Sequence, residues 1–290
     1  MVCDATLRHA GSIPGFRSNQ PNRRLSMSNK VIALQNVDLI YSGANLPVKA
    51  LENVSIHAKD GEFVSIVGPS GCGKSTLLKI ISGLIPHSKG TVLVNGAPVD
   101  GPQASVGIVF QSPLLMPWRT ILDNVLVQID MRGLPLEKYR EEARSLLKMV
   151  GLSAFEKAYP YQLSGGMQQR VGICRALVHA PQLLIMDEPF GALDAMTREQ
   201  MMIELQRIWM ERKTTVLFIT HSLTEAIFLS DRVVVMGARP GRVVGEFVVD
   251  MARPRKISDE RSPAFAMLAD SVRACLEESG ALPAIHSPVA

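Results

Sequence analysis

The sequence predicts an α/β protein with a mainly parallel central sheet, a small antiparallel sheet at its N-terminal side and an inserted α-helical segment. Three observations carry this expectation. Short apolar runs at 31–37, 51–56, 63–67, 91–94, 183–186, 216–220 and 233–236 read as strands, with helical periodicity between many of them. The early runs are separated by Gly and Asn turns such as Asn95-Gly96, which suits antiparallel neighbours. From Pro117 to Gly151 strand signals disappear. Tyr139, Ala143, Leu146, Leu147 and Val150 follow helical spacing there, so about 117–178 reads as a helical insertion.

Residues 1–30 come first in the chain. They are rich in Ser, Asn, Pro and Arg and have no apolar run long enough for a secretory signal. They read as a disordered tail, or as sequence ahead of a start at Met27. The run 63–67 then leads into Gly68-Pro69-Ser70-Gly71-Cys72-Gly73-Lys74-Ser75, a full match to G-x-x-x-x-G-K-S/T, and 75–82 reads as the helix after it. The glycines let backbone N–H groups turn inward around phosphate oxygens, and the helix N-terminus adds positive partial charge. Lys74 is expected to pair with β- and γ-phosphates and Ser75 to ligate Mg²⁺. The core therefore resembles that of P-loop NTPases. Cys72, beside a helix N-terminus and Lys74, is expected to be a reactive thiolate, with a buried inert thiol as the alternative.

Ligands of open α/β sheets sit beyond the carboxyl ends of strands. The run 63–67 ends in the phosphate loop, 107–110 in Gln111, 183–186 in Asp187-Glu188 and 216–220 in His221. Parallel pairing would collect these endings into one hydrolysis site. Asp187 would hold Mg²⁺, Glu188 would activate water and His221 would sense the γ-phosphate. At the far end of the chain, 262–279 reads as a helix. Ser262 is its cap, Pro263 lies in its first turn, and Phe265, Leu268, Val272 and Leu276 share one face.

The most specific segment is Leu163-Ser164-Gly165-Gly166-Met167-Gln168-Gln169-Arg170. It opens a helix with apolar Val171, Cys174, Leu177 and Val178, and so forms a second anion-seeking helix N-terminus. One ATP cannot easily use two such termini of one subunit, whereas a second subunit can supply the other. With these motifs, 31–250 resembles the ATPase domain of ABC transporters. The matching segments are the phosphate loop, Gln111, Leu163 to Gln168 as signature, 183–188, Ala192-Leu193-Asp194 and His221. The resemblance implies ATP bound by Gly68 to Thr76, Tyr41 stacked on adenine, and Mg²⁺ held by Ser75, Gln111 and Asp187. It also implies a head-to-tail pair in which Ser164, Gly165, Gly166 and Gln168 meet the nucleotide of the opposite Lys74. The segments 111–125, 190–198 and Arg253-Pro254-Arg255 are similar to those of nitrate/sulfonate/taurine importers. That similarity implies a transmembrane permease partner, indirectly a solute-binding protein, and a peripheral place on the cytoplasmic face of the inner membrane. The region 112–125, with Leu114, Leu115 and Trp118, is the expected dock for the permease, while Trp118 reads equally as a core anchor of the insertion.

Composition fits these readings. Apolar residues are 47% and charged residues 20% of the 290. The net charge of +4 is carried by residues 1–30, and the remaining chain is neutral, so nucleic acid is not an expected partner. No stretch approaches the roughly 20 apolar residues of a membrane span. Cys3, Cys72, Cys174 and Cys275 lie far apart, without metal or disulfide spacing. The alternative reading is a soluble ABC ATPase without a permease. Such proteins carry long coiled coils or tandem cassettes, and this chain has neither. Residues 251–290 are expected to form a C-terminal extension.

Overall fold

The structure, a computed structural model, describes residues 30–42, 47–237 and 239–280. The expected tail up to residue 29, with Cys3, and residues 281–290 of the extension lie outside the described residues.

Strands β1 (Lys30–Tyr41) and β2 (Val48–Lys59) form an antiparallel pair. After β3 (Phe63–Val67) and α1 (Lys74–Ile81), β4 (Lys89–Val94) pairs with the other edge of β1, and β5 (Ala97–Pro98) pairs with β4. This is the expected antiparallel sheet, in the order β2-β1-β4-β5. Its first two strands are longer than their apolar runs. Asn36 and Asn53 sit at φ 51° and 49°, and the Asn36 side-chain amide donates to Asn53 Oδ1 at 2.7 Å. Polar residues at these irregular positions interrupt the apolar runs on which the sequence reading relied.

The second sheet contains β6 (Val106–Val109), β7 (Leu183–Asp187), β8 (Thr215–Thr220), β9 (Arg232–Met236) and β10 (Val243–Val248). Its order is β10-β9-β3-β8-β7-β6, parallel except for the β10–β9 pair. The short β5 and the edge strand β10 were not expected. Gly245 and Glu246 break the apolar run of β10, as an edge position permits.

The parallel sheet is a wall between two apolar cores. Val216 and Phe218 of β8 join Phe63, Met186 and Val233 on one face, and Leu217 and Ile219 join Val64, Ile66, Ile185 and Val234 on the other. Each such side chain contributes roughly 1.5–3 kcal/mol by burial. The first core extends into the helical insertion of α2 (Ile121–Met131), α3 (Glu137–Met149) and α4 (Gly165–Leu177). The second closes against α1 and the antiparallel sheet.

The remaining helices are α5 (Ala195–Arg212), α6 (Leu223–Leu229) and α7 (Pro263–Glu278), the last capped as expected by Ser262, which accepts from Phe265 N at 3.3 Å. The segment before α7 is stitched into the core. Arg253 pairs with Asp231 at 2.8 Å and lies over the Trp209 ring at 4.2 Å. Arg255 is 3% exposed. Its guanidinium donates to Ile227 O, Phe228 O and Ser230 O at the end of α6, and to Val249 O and Met251 O. Burial lowers its pKa to about 10, so it stays charged at neutral pH. Arg255→Ala leaves these carbonyls without their donor and is expected to cost about 3 kcal/mol or more. Urea unfolding reads this as a fall in midpoint, and an unchanged midpoint contradicts it.

Candidate active site

Register fixes where the strands end. Val67 of β3 is opposite Thr220 of β8, Asp187 of β7 is opposite Ile219, and Val109 of β6 is opposite Met186. The ladder continues one step past β7, with Glu188 N donating to Ile219 O at 2.8 Å. The phosphate loop, Gln111, Asp187-Glu188 and His221 thus leave the sheet at one edge.

In the phosphate loop Gly73 has φ 96°, and a Cβ there would come within 2.6 Å of Leu51 Cδ2. The left-handed φ requires glycine, and a Cβ would also press on Leu51. No side chain caps the first turn of α1 and none there is acidic, so its N–H groups face outward uncompensated. Lys74 is 7% exposed, and its ammonium donates to Gly68 O at 2.8 Å and Pro69 O at 2.9 Å. A buried cation held by carbonyls beside a free helix N-terminus has the chemistry to cradle a phosphate. Tyr41 is 41% exposed, with its hydroxyl 3.3 Å from Thr76 Oγ1, so it flanks the start of α1 rather than filling a core.

The Ser75 hydroxyl lies near enough to the Asp187 carboxylate to favour its ionised form. Burial raises the Asp187 pKa, and the neighbouring Glu188 charge adds to the rise. A divalent cation would relieve this crowding, and a hydroxyl with a carboxylate is a hard oxygen donor set that fits Mg²⁺. No cluster of three or more His, Cys, Asp and Glu exists among the described residues. Mg²⁺ needs none, because it completes its shell with waters and substrate phosphates. Gln111 is exposed and lies against Gly191, where a Cβ would come within 3.1 Å of its amide nitrogen.

Glu188 has φ 45°, which turns it out of the strand that Asp187 ends. Its Oε2 lies 3.2 Å from His221 Nδ1. The carboxylate is partly shielded and the imidazole is open to solvent. Ser222, not His221, caps α6 by accepting from Glu225 N at 3.3 Å, so the histidine is free to act in the site.

In the signature segment Ser164 caps α4, accepting from Met167 N at 3.4 Å. Gly165 is exposed, with nothing within 4 Å of the position of a Cβ. Gly166 is buried, and a Cβ there would meet Thr197 Cγ2 at 2.6 Å, so this glycine lets α4 pack on α5. Gln168 donates to Pro160 O at 2.9 Å and Leu163 O at 3.2 Å, which fixes the loop ahead of the helix. Ser164 and Gly165 are thus presented outward on a start that Gly166 and Gln168 hold.

Sequence reasoning missed the residues that pin the loop after Gln111. Buried Asn124 accepts from Met116 N at 2.7 Å and donates to Met116 O, Arg119 O and Thr120 O. Arg175 donates to Pro113 O at 2.7 Å and Leu114 O at 2.8 Å. A polar residue in an apolar helical run was the available signal. Leu114 and Trp118 are 61% and 73% exposed, so Trp118 is no core anchor, whereas Leu115 packs against the core.

Comparison with known proteins gives the family. The family model for ABC transporters matches residues 51–191. An uncharacterized ABC transporter ATP-binding protein of Methanocaldococcus jannaschii is 50% identical over 77% of this chain and 84% of its own length. A taurine import ATP-binding protein of Rhizobium johnstonii is 47% identical over 80% of this chain and 90% of its own length. The solved dimeric structure of an ATP-binding cassette in a post-hydrolysis state, bound to ADP and phosphate, superposes with TM-score 0.66 at 35% identity, covering 76% of this chain and all of that one. The chain belongs to the ABC transporter family and is an ABC-type, ATP-binding ATPase.

The expectation for Cys72 is corrected. The thiol is 1% exposed, and burial raises its pKa more than Lys74, whose Nζ is 3.9 Å from the sulfur, lowers it. It is therefore a neutral, shielded thiol at pH 7. Maleimide labelling of Cys72 in the folded protein is expected to be slower than that of a small free thiol at pH 7.5 and to keep rising with pH through 9. A rate already at its plateau below pH 8 contradicts this.

Proposed function

We propose that this chain is the ATP-hydrolysing subunit of an importer for a small organic or inorganic anion of the nitrate, sulfonate or taurine type. Two copies share two ATP molecules head to tail, beneath a transmembrane permease at the cytoplasmic face of the inner membrane, with a solute-binding protein delivering the anion. The observation that carries hydrolysis is the 3.2 Å contact between Glu188 and His221 at the sheet edge that also bears the phosphate loop. The taurine relative supports import, and the solved dimeric cassette supports pairing.

In this reading the loop N–H groups and Lys74 take the β- and γ-phosphates, Lys74 exchanging its carbonyl partners for phosphate oxygens. Mg²⁺, held by Ser75 and Asp187 with Gln111 nearby, would neutralise charge on the phosphate oxygens. Asp187 is thereby engaged, and Glu188, turned past it, accepts the proton of the attacking water. His221 orients that carboxylate and meets the γ-phosphate. Ser164 and Gly165, with the N–H groups of α4, cover the nucleotide held by the other copy. Leu114 and Trp118 are held outward by Asn124 and Arg175 as an apolar anchor for a permease segment.

Glu188→Gln keeps shape and hydrogen bonding but loses the base. It is expected to bind ATP normally, to hydrolyse it at least about a hundredfold more slowly and to accumulate as an ATP-bound dimer in size-exclusion chromatography. Wild-type turnover contradicts the role of Glu188, and an ATP-bound monomer contradicts pairing. Leu114→Glu and Trp118→Glu are expected to abolish solute uptake by the assembled transporter while the isolated subunit keeps its ATPase rate within about twofold. Unimpaired uptake contradicts the docking surface.

A further inference from the structure

The turn that carries His221 is held by a carboxylate outside every motif described above. Glu225 of α6 is 4% exposed. Thr220 Oγ1 donates to its Oε2 at 2.6 Å, and the same hydroxyl accepts from Ser222 N at 3.0 Å. Ser222 Oγ in turn accepts from Glu225 N. His221 therefore sits between two residues that Glu225 and its partners lock in place.

The other carboxylate oxygen, Oε1, lies 3.5 Å from Arg198 Nε. Arg198 Nη2 donates to Leu193 O at 2.9 Å, just before Asp194 caps α5 by accepting from Thr197 N at 3.0 Å. Thr197 is the residue that packs against Gly166 at the start of α4. One buried carboxylate thus joins the His221 turn to the segment supporting the signature helix. His221, on that turn, lies 3.2 Å from Glu188 Oε2, so the network reaches the pair assigned to hydrolysis. Burial raises the Glu225 pKa against the pull of Thr220, Arg198 and His221. Packing alone does not call for a charge here, since an apolar side chain of similar volume would avoid the desolvation.

We propose that Glu225 is a positioning residue for ATP hydrolysis: by bridging Thr220 and Arg198 it fixes the His221 turn against Glu188 and ties that turn to the base of α4. It acts through His221 and Glu188, and so rests on the roles given to them above.

The test measures kcat and ATP affinity, by fluorescent-nucleotide displacement, for Glu225→Gln, Arg198→Met, Arg198→Lys and the Glu225→Gln/Arg198→Met pair. Glu225→Gln keeps the volume and an acceptor for Thr220 but removes the charge. Arg198 is partly exposed, so its replacement breaks the same bridge from the surface. The expected result is a fall in kcat of about tenfold for Glu225→Gln and Arg198→Met, with ATP affinity changed less than about twofold. The pair is no worse than its worse member, and Arg198→Lys keeps most of the activity. Added to Glu188→Gln, Glu225→Gln causes no further fall. Unchanged kcat in Glu225→Gln, or kcat, affinity and melting temperature falling together, overturns the proposal while a slow Glu188→Gln leaves the hydrolytic reading standing. Normal turnover by Glu188→Gln alone overturns that reading and this proposal with it.

Discussion

The constraint on which the rest of the molecule depends is the register of β3, β8 and β7. These strands are buried on both faces, and neighbouring residues of β8 enter different cores. A slip of one residue against β3 or β7 would exchange the two faces and move Thr220 away from Val67 and Ile219 away from Asp187. The apolar side chains that stabilise the sheet are therefore what bring the phosphate loop, Asp187, Glu188 and His221 to one edge. The ladder bond from Glu188 N to Ile219 O carries that register one step past the strand, where the backbone turns to φ 45°.

Around this edge, buried polar side chains fix the loops that apolar packing cannot. Asn124 and Arg175 satisfy the carbonyls of the segment after Gln111, Arg255 satisfies those at the end of α6, and Gln168 satisfies those ahead of α4. Leaving a buried carbonyl or N–H unsatisfied costs about 1–3 kcal/mol, so each of these side chains holds its loop to a narrow set of conformations. The surfaces that result carry unlike chemistry. Lys74 stands beside the uncapped start of α1, Ser164 and Gly165 open the start of α4, and Leu114 and Trp118 stand apolar in solvent.

The sheet and the gathering of these strand endings at one edge were legible because both are written locally. Strand runs buried on both faces need no partner to be recognised, and the phosphate loop, Asp187-Glu188 and His221 each follow such a run directly. The helical insertion was visible from the loss of strand signals, and α7 from Ser262, Pro263 and an apolar face. What escaped depends on distant partners. The length of β1 and β2 rests on Asn36 meeting Asn53, and β10 rests on an edge that its own Gly245 and Glu246 disguise. Cys72 had the neighbours of an activated thiol, but its burial could not be read from spacing. Glu225, Arg198, Arg255 and Asn124 gave no local sign of their partners, and only the packed structure shows what they join.

The central claim is that a complete ATP site needs two copies of this chain, one giving the phosphate loop and the other the exposed start of α4. Complementation between two inactive variants tests it most directly. Lys74→Ala removes the phosphate cation and Ser164→Arg blocks the start of α4, so each homodimer contains only damaged sites. A mixed dimer carries both lesions at one site and leaves the other intact. Equal mixing with random exchange is expected to restore about a quarter of wild-type hydrolysis, since half of the dimers are mixed and each has one sound site. A mixture that forms mixed dimers and stays as inactive as its components contradicts the shared site, and so does a fully active Ser164→Arg.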